Sequence, residues 1–218
     1  MAYRRLCSRF VHRVDPKPEE RCVDFGCGSG AFTRWLRPLG LKLLGIDISV
    51  NLIELANARS EGESYRVGDV MSTGLPDGSF DIVVYSGILH HFPTMEIRLG
   101  ALREGHRLLR PGGRVFGYDP NLCSPSMWLY RHPSSPFYSS EGKTDNEVLF
   151  SSGQLRGVLS LAGFRDVQVD GLSGTTYRFV ESAHARILLP IYNLYEIVMM
   201  LTPFQKAFGT FLISSGVK

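Results

Sequence analysis

The sequence predicts a doubly wound α/β fold, in which helices cover both faces of a mostly parallel sheet. Short apolar runs alternate with segments of helical periodicity from residue 20 to residue 172, a pattern typical of repeated strand–helix units. A glycine-rich turn, VDFGCGSG at residues 23–30, follows the first apolar run, as expected where an α/β sheet binds a nucleotide. The 218 residues suit one domain with a single sizeable core, spanning 1–218.

Seven strands are predicted, each bounded by turn residues or by a helical segment. They are assigned to residues 21–25, 42–47, 64–69, 80–86, 114–120, 164–172 and 209–218. The run at 80–86, FDIVVYS, is apolar almost throughout, as expected for a strand buried on both faces. Helices are assigned to 30–40, 49–62, 95–109 and 152–162. Ser49 can cap the second helix, and RPGG at 110–113 ends the third.

Two segments break this alternation and are interpreted as insertions that cap a substrate site. Apolar side chains in residues 120–150 recur at neither helical nor strand spacing, but the aromatic side chains of this segment argue against disorder. The second insertion, 173–208, contains an apolar stretch at 184–201 that is too short to span a bilayer. Three interpretations of 184–201 stay open: a helix packed on the core or on a second copy in a homodimer, a wall of an apolar substrate pocket, and a helix at a membrane surface.

Charge and cysteine content argue against several classes of protein. A net charge of +3 is too small to indicate nucleic-acid binding. The arginines near the N-terminus are interpreted as a solvated helix face: Arg4, Arg5, Arg9 and Arg13. The four cysteines form no CxxC pair and have no histidine at zinc-finger spacing, so we expect reduced thiols, no metal and a cytoplasmic location. No apolar segment follows the basic start, so a signal peptide is not expected.

The glycine-rich turn fits two nucleotide-binding patterns, and the preceding acid distinguishes their ligands. Gly26, Gly28 and Ala31 satisfy G-x-G-x-x-A, whereas Gly26, Gly28 and Gly30 satisfy G-x-G-x-G. Asp24 lies two residues before the first glycine, where a carboxylate would repel a pyrophosphate and attract a cation. An adenosyl cofactor with an amino-acid tail carries an ammonium and a sulfonium but no phosphate. Asp24 therefore favours S-adenosylmethionine over NAD.

Two further carboxylates follow the next two strands. Asp47 ends the second predicted strand, where it can accept hydrogen bonds from both ribose hydroxyls of either cofactor. Asp69 ends the third predicted strand, where it can accept one from the exocyclic amine of adenine. Together the two acids indicate an adenosine site at the carboxyl edge of the sheet.

Five ordered segments resemble a known family. VDFGCGSG, LLGIDIS, YRVGDV, LPDGSFDIVVYSGILHHF and LLRPGGRVFGYDPN occur in the order seen in class I S-adenosylmethionine-dependent methyltransferases. The chain is most similar to the small-molecule branch (methyltransferase type 11/12-like), which includes quinone-pathway and saccharide-modifying enzymes. The resemblance is close over 20–120 and looser over 151–172. It implies a Rossmann-like, three-layer α/β/α fold with a seven-stranded sheet that is parallel except for its last strand.

The resemblance also implies the residues that hold the cofactor. The methionine part would lie against the turn at 24–30 and the backbone of Ser86, the ribose against Asp47, and the adenine against Ile48, Asp69 and Val70. Within the turn, Cys27 fits as a small side chain and has no chemical role of its own. The predicted cofactor-binding residues are Asp24, Gly26, Cys27, Gly28, Gly30, Asp47, Ile48, Asp69, Val70 and Ser86.

Methyl transfer needs a base only when the nucleophile carries a proton at neutral pH. His91 is the preferred candidate and His90 the next, because both follow the fourth strand, although they could instead orient a loop. Tyr118, at the end of the fifth strand, is a further catalytic candidate. Four aromatic residues could form a lid over the substrate or pack as an ordinary loop: Trp128, Tyr130, Phe137 and Tyr138.

The predicted function is O-methylation of a small-molecule acceptor, with S-adenosyl-L-homocysteine as product. The acceptor would be a secondary metabolite, a saccharide or a lipid-linked substrate, and C-methylation of a quinone or isoprenoid is the alternative. An NAD-dependent oxidoreductase is disfavoured by Asp24, and a non-catalytic binding protein by the complete set of motifs. Nucleic acid is not expected as substrate, because the sequence lacks a [DNS]-P-P-[YFW] motif, a Pro-Cys nucleophile and a basic aromatic stripe.

Overall fold

A seven-stranded sheet forms the centre of the computed structural model, which describes residues 2–140, 143, 147–174 and 182–218. The strands are β1 Arg21–Phe25, β2 Lys42–Asp47, β3 Ser64–Val67, β4 Phe80–Ser86, β5 Leu109–Pro120, β6 Arg165–Leu172 and β7 Phe211–Val217. Their order is β3-β2-β1-β4-β5-β7-β6. The first five strands, β1 to β5, form only parallel pairs with their neighbours among themselves. Strand β7 runs antiparallel to both β5 and β6. The predicted sheet and its antiparallel last strand are confirmed.

The helices are α1 Ala2–Val14, α2 Ala31–Leu36, α3 Val50–Asn57, α4 Met95–Leu108, α5 Pro125–Arg131, α6 Ser152–Leu161, α7 Ala183–Met200 and α8 Gln205–Phe208. Ser49 caps α3 as predicted, because its hydroxyl accepts a hydrogen bond from the N–H of Leu52. The sequence pattern did not predict α5 or α8, which have only seven and four residues and therefore show no helical period.

Two apolar layers pack on opposite faces of the sheet, because alternate strand residues point to opposite sides. Val83 of β4 belongs to the layer covered by α4 and α6, to which Leu102 and Leu155 contribute. The neighbouring Ile82 belongs to the layer covered by α1 and α2, to which Phe10 and Phe32 contribute. This arrangement leaves the carboxyl ends of the parallel strands uncovered by either layer.

The two predicted insertions lie only partly within the described residues. Residues 141–142 and 144–146 of the first, and 175–181 of the second, lie outside them. In the second insertion, α7 carries the apolar stretch. None of the helices in the described ranges is long and apolar enough to cross a membrane.

Candidate active site

The turn after β1 needs glycine for two different reasons. Gly26, Gly28 and Gly30 all have positive φ angles, of 69°, 52° and 74°, which side chains of L-residues rarely adopt. A Cβ on Gly26 would also lie 2.7 Å from the Cβ of Ile88, and one on Gly30 would lie 2.5 Å from the hydroxyl of Tyr65. A Cβ on Gly28 would lie 3.9 Å from Cδ1 of Leu52, an ordinary contact, so only the backbone conformation of Gly28 requires glycine.

Asp47 links this turn to the helix after β2. Its Oδ2 accepts a hydrogen bond from the N–H of Gly28, and its Oδ1 accepts one from the N–H of Ser49, both at 2.9 Å. Each oxygen keeps a lone pair, because a carboxylate offers about four acceptor positions. The carboxylate is therefore held rigidly at the edge of the sheet and can still accept ribose hydroxyls.

A cavity of about 90 Å³ lies beside Asp47 and brings together residues from three loops. Four predicted cofactor residues line it, and sequence reasoning missed its other lining residues. The lining consists of Asp47, Ile48, Gly68, Asp69, Val70, Ile88 and Phe92. Ile48 is 76% exposed whereas Val70 is buried, so the two offer an outer and an inner apolar surface for a flat ring. Asp69 accepts the N–H of Met71 at 2.8 Å.

Asp24 lies beneath the turn and is fully buried. Its carboxyl group accepts hydrogen bonds from the hydroxyls of Thr33, at 2.6 Å, and Ser86, at 2.5 Å. Burial raises the pKa of Asp24 to about 7, because desolvation outweighs these two hydrogen bonds, and Asp47 adds to the rise. The structure thus joins Asp24 and Ser86, two predicted residues, and adds Thr33. In this arrangement Asp24 orients hydroxyl groups and presents no open carboxylate.

Cys27 faces the protein interior and not the cavity. Its side chain is 6% exposed and packs with Ile53, Ala56 and Tyr65. Burial raises the pKa of the thiol, which keeps it protonated and unreactive. Cys27 can therefore contribute to the turn only through its backbone and its small size.

The N-terminal helix contributes Tyr3, which sequence reasoning did not identify. The Tyr3 ring stacks on Phe32, with ring centroids 6.2 Å apart. Burial raises the pKa of Tyr3, and the nearby Asp24 raises it further. The N-terminal end of α1 therefore lies next to the site. No local signal could show this, because the docking of α1 depends on contacts with distant parts of the chain.

Behind the loop after β4, His90 makes two hydrogen bonds to one acid. Its backbone N–H and its ring Nδ1 contact Oδ1 of Asp119, at 3.0 and 2.9 Å. Both residues are buried. Because a carboxylate only accepts, Nδ1 is the donor in the contact between the ring and Asp119. The His90 and His91 rings lie 3.9 Å apart.

Glu147 completes a cluster with the two histidines. His90, His91 and Glu147 each offer a ligand atom, and these atoms lie within 4.8 Å of one another. Arg131 Nε lies 3.9 Å from Glu147 Oε2. Burial lowers the pKa of His91 and His90 lowers it further, while Glu147 acts in the opposite direction. The His91 ring is therefore neutral at pH 7 and can accept a proton. Sequence reasoning missed Glu147, which belongs to the aperiodic insertion.

Tyr118 lies next to the Asp24–Ser86 pair. Its ring packs edge-on against Phe32, with the ring centroids 5.3 Å apart. Burial, followed by Tyr3 and Asp24, raises the pKa of Tyr118 well above its ordinary value. At neutral pH its phenol is therefore a hydrogen-bond donor, and a catalytic role for it stays a prediction.

The four predicted lid aromatics occupy different surroundings. Phe137 stacks on Tyr192 at 5.2 Å and helps to line an apolar cavity of about 340 Å³ between α5 and α7. Tyr130 is buried in the same cluster. Trp128 is half exposed and stacks on His132, and Tyr138 lies under the ammonium of Lys143. The structure therefore brings together only two of the four, Tyr130 and Phe137.

Comparison with known proteins finds a matching domain that contains most of this site. A family model described as a methyltransferase domain matches residues 23–117, which contain every predicted cofactor residue. Probable tRNA methyltransferase 9B of Mus musculus is 35% identical over 104 residues, covering 48% of this chain and 22% of its own length. Malonyl-[acyl-carrier protein] O-methyltransferase of Serratia marcescens is 32% identical over 112 residues, covering 51% of this chain and 43% of its own. This chain thus spans less than half the length of either relative.

A solved structure shows the same fold over the whole chain. The crystal structure of a SAM-dependent methyltransferase from Archaeoglobus fulgidus has a TM-score of 0.69 and 20% identity, covering 100% of this chain and 93% of that one. At this identity the likeness shows the fold alone. The matched methyltransferase domain and this likeness in fold agree with the resemblance to class I S-adenosylmethionine-dependent methyltransferases.

Proposed function

We propose that this chain transfers the methyl group of S-adenosylmethionine to a hydroxyl oxygen of a small, partly apolar acceptor. The observation that carries the proposal is the position of His91, which ends the short turn 89–91 after β4 and has a pKa that burial lowers. The flanking residues Ile88 and Phe92 line the cavity beside Asp47. A proton acceptor therefore lies next to the predicted cofactor pocket.

The cofactor would lie along the carboxyl edge of the sheet. Asp47 would accept the ribose hydroxyls, while Ile48 and Val70 would enclose the adenine and Asp69 would accept its amine. The ammonium of the methionine part would lie near Asp24 and Ser86, where a positive charge favours the ionised form of Asp24. When bound, the cofactor supplies an activated methyl group.

The chain would contribute positioning and a proton acceptor. The bound cofactor would give its methyl group to the acceptor oxygen and leave as S-adenosylhomocysteine, and His91 would take the proton that the acceptor loses. Glu147 would stabilise the imidazolium that forms. Asp119 would keep the adjacent His90 in one tautomer, so that both rings hold their orientation.

A divalent metal ion is a second candidate for the same cluster. Two imidazoles and a carboxylate within 4.8 Å of one another suit a first-row transition metal better than Mg²⁺. The nearby Arg131 favours His91 acting as a base without a metal, because the positive charge of Arg131 already offsets the negative charge of Glu147. Treatment with a chelator separates the two: a metal-dependent enzyme loses activity and regains it with Zn²⁺ or Mn²⁺, whereas a histidine base is unaffected.

The acceptor class is inferred from the apolar cavity between α5 and α7. The apolar cavity of about 340 Å³ favours a partly apolar small molecule or a lipid-linked one, and residues 120–150 and 173–208 would be its caps. The Serratia marcescens relative is named as an O-methyltransferase. The Mus musculus relative is named for tRNA, so the sequence-based exclusion of nucleic acid is not confirmed. C-methylation of a quinone-type acceptor would use the same base.

The test is formation of S-adenosylhomocysteine with each acceptor class: hydroxylated lipids, saccharides, quinols and total tRNA. We expect turnover with a small hydroxylated acceptor and a fall of about a hundredfold or more in kcat for His91→Ala. His106→Gln, which changes a histidine on α4, is the matched control and should keep full activity. Full activity of His91→Ala would remove His91 as the base, and turnover with tRNA alone would replace the acceptor class. Binding of NADH in place of S-adenosylhomocysteine would overturn the cofactor.

A further inference from the structure

The outer face of α7 and α8 is a continuous apolar stripe. Four residues of α7 and Leu201, which follows the helix, recur at intervals of four, three, four and three residues. Each of them is between 51% and 77% exposed: Ile187, Ile191, Leu194, Val198 and Leu201. Phe204 and Phe208 extend the stripe to the end of α8, at 62% and 44% exposed. Scattered exposed apolar residues are normal, but a contiguous patch of this size marks a binding surface.

The opposite face of α7 is anchored, so the stripe cannot turn inward. Glu196 is 1% exposed, and its Oε2 accepts hydrogen bonds from the N–H of Gly174, at 3.1 Å, and the hydroxyl of Thr210, at 2.5 Å. The Tyr192 hydroxyl donates to the backbone oxygen of Ser126. Rotating the helix would bury the stripe only by leaving this carboxylate without its partners, which is strongly unfavourable.

Positive charge surrounds the stripe. Arg5 of α1 donates to Gln205 of α8 at 3.2 Å, which places α1 beside the end of the stripe. Arg5 and Arg9 line a cavity of about 450 Å³ on this side of α1. Residues 2–14 contain four arginines and no acid, and the segment 182–208 contains Arg186, Lys206 and a single acid, the buried Glu196. The described residues of these three helices therefore include cationic side chains and no exposed carboxylate, and of the arginines on α1 Arg13 is paired with Asp170 of β6.

The apolar cavity between α5 and α7 shares Ile191 with the stripe. Leu188, Ile191 and Tyr195 line the cavity and are also exposed, and Leu129 and Phe137 form its inner wall. A hydrocarbon chain suits such a lining, because it leaves no polar group unpaired. A chain could thus enter the cavity from whatever apolar medium covers the stripe.

We propose that the α7–α8 stripe docks on the surface of an anionic lipid bilayer, with the α1 arginines facing the lipid phosphates. An exposed apolar helix face beside basic residues is the combination that binds interfaces between water and anionic lipid. A second copy of the chain is the rival occupant. It would bring two identical sets of positive charge together, which disfavours pairing through this face.

Vesicle flotation of the full chain tests the proposal directly. We expect binding to phosphatidylcholine vesicles that contain phosphatidylglycerol, weaker binding to phosphatidylcholine alone, and release by high salt. Leu194→Glu/Val198→Glu and Arg4→Glu/Arg9→Glu should each lower the bound fraction about tenfold. The matched controls are Leu161→Glu and Arg156→Glu on α6, which packs on the other face of the sheet; Leu161 is 66% exposed. Both controls should float as the wild type does.

A second measurement does not depend on placing charge in the stripe. Leu194→Cys, in a Cys7→Ser/Cys123→Ser background, is labelled with a polarity-sensitive fluorophore, and Leu161→Cys is labelled as the control. Anionic vesicles should shift the emission of the label at 194 to the blue and leave that at 161 unchanged. Failure of the wild type to float, or equal shifts at both labels, overturns the proposal. A dimer that Leu194→Glu dissociates, with no flotation, assigns the stripe to a second copy instead.

Discussion

Asp119 accepts two hydrogen bonds from His90 at a single oxygen, Oδ1, one from the backbone N–H and one from the ring Nδ1–H. Its other oxygen has no hydrogen-bond partner among the described residues. The pair connects the end of β5 to the turn after β4 and places a defined tautomer behind His91. This relationship gives the first prediction.

Asp119→Asn should lower kcat by tenfold or more, with little change in KM for S-adenosylmethionine, because an amide no longer selects the Nδ1–H tautomer of His90. Steady-state kinetics with the identified acceptor measure the change. A structural role alone would lower the thermal midpoint without moving the pH profile of kcat, so the profile is recorded with it. An unchanged profile at full stability would contradict the role given to Asp119.

Cofactor binding should depend on pH through Asp24. Burial raises the pKa of Asp24 to about 7 from its ordinary 3.8, and a cationic ligand favours the ionised form, so affinity for S-adenosylhomocysteine should increase as the pH rises from 6 to about 8. Calorimetry in buffers of different ionisation enthalpy should record proton release near pH 6.5. Asp24→Asn should bind more weakly and lose the pH dependence. Proton uptake in the wild type would contradict this account.

The same shift should affect stability without the cofactor. Below pH 3.8 Asp24 is protonated in both the folded and unfolded states, so it makes no difference there. Between pH 3.8 and about pH 7, Asp24 ionises only in the unfolded state. The free energy of unfolding therefore falls as the pH rises through this range, by at most about 4 kcal/mol. Asp24→Asn should therefore have the flatter stability profile in urea denaturation. A steeper profile in the variant would rule out a raised pKa.

Asp47→Ala should weaken binding of S-adenosylhomocysteine about tenfold or more, because it removes the acceptor for the ribose and for the N–H groups of Gly28 and Ser49. Asp47→Asn, which keeps one acceptor oxygen, should lose less affinity for S-adenosylhomocysteine than Asp47→Ala does. Glu54→Ala, on the exposed side of α3, is the control for the loss of a carboxylate. Equal affinity of Asp47→Ala and the wild type in calorimetry would move the cofactor away from this edge.

Replacing glycine by alanine should lower the free energy of unfolding inside the turn and raise it at a position outside the turn. Gly28→Ala meets a backbone cost of about 1–2 kcal/mol, whereas Gly26→Ala adds overlap with Ile88 and should cost about 1–3 kcal/mol more. Gly157→Ala, inside α6 with open space around it, should instead stabilise by about 0.5–1 kcal/mol. Denaturant midpoints give the order. If Gly28→Ala costs more than Gly26→Ala, the contact with Ile88 is not the deciding term.

The sheet, the glycine-rich turn and the acids that follow the strands were predictable from local sequence patterns. Strand 80–86 and Ser49 as a helix cap follow from patterns within a few residues, and β-strand or capping preferences act over that distance. Asp47 and Asp69 could be placed at one edge because parallel strands end together. These features need no knowledge of which distant segments touch.

Only the tertiary structure decided how the chemical groups combine. The sequence predicted Asp24 as an open carboxylate beside a cation, whereas the fold buries it under the hydroxyls of Thr33 and Ser86 and raises its pKa. Glu147 reaches His91 from an aperiodic insertion. Glu196 makes one face of an apolar helix the inner face. Desolvation and hydrogen bonding between distant segments set these outcomes, and both depend on which surfaces the folded chain removes from water.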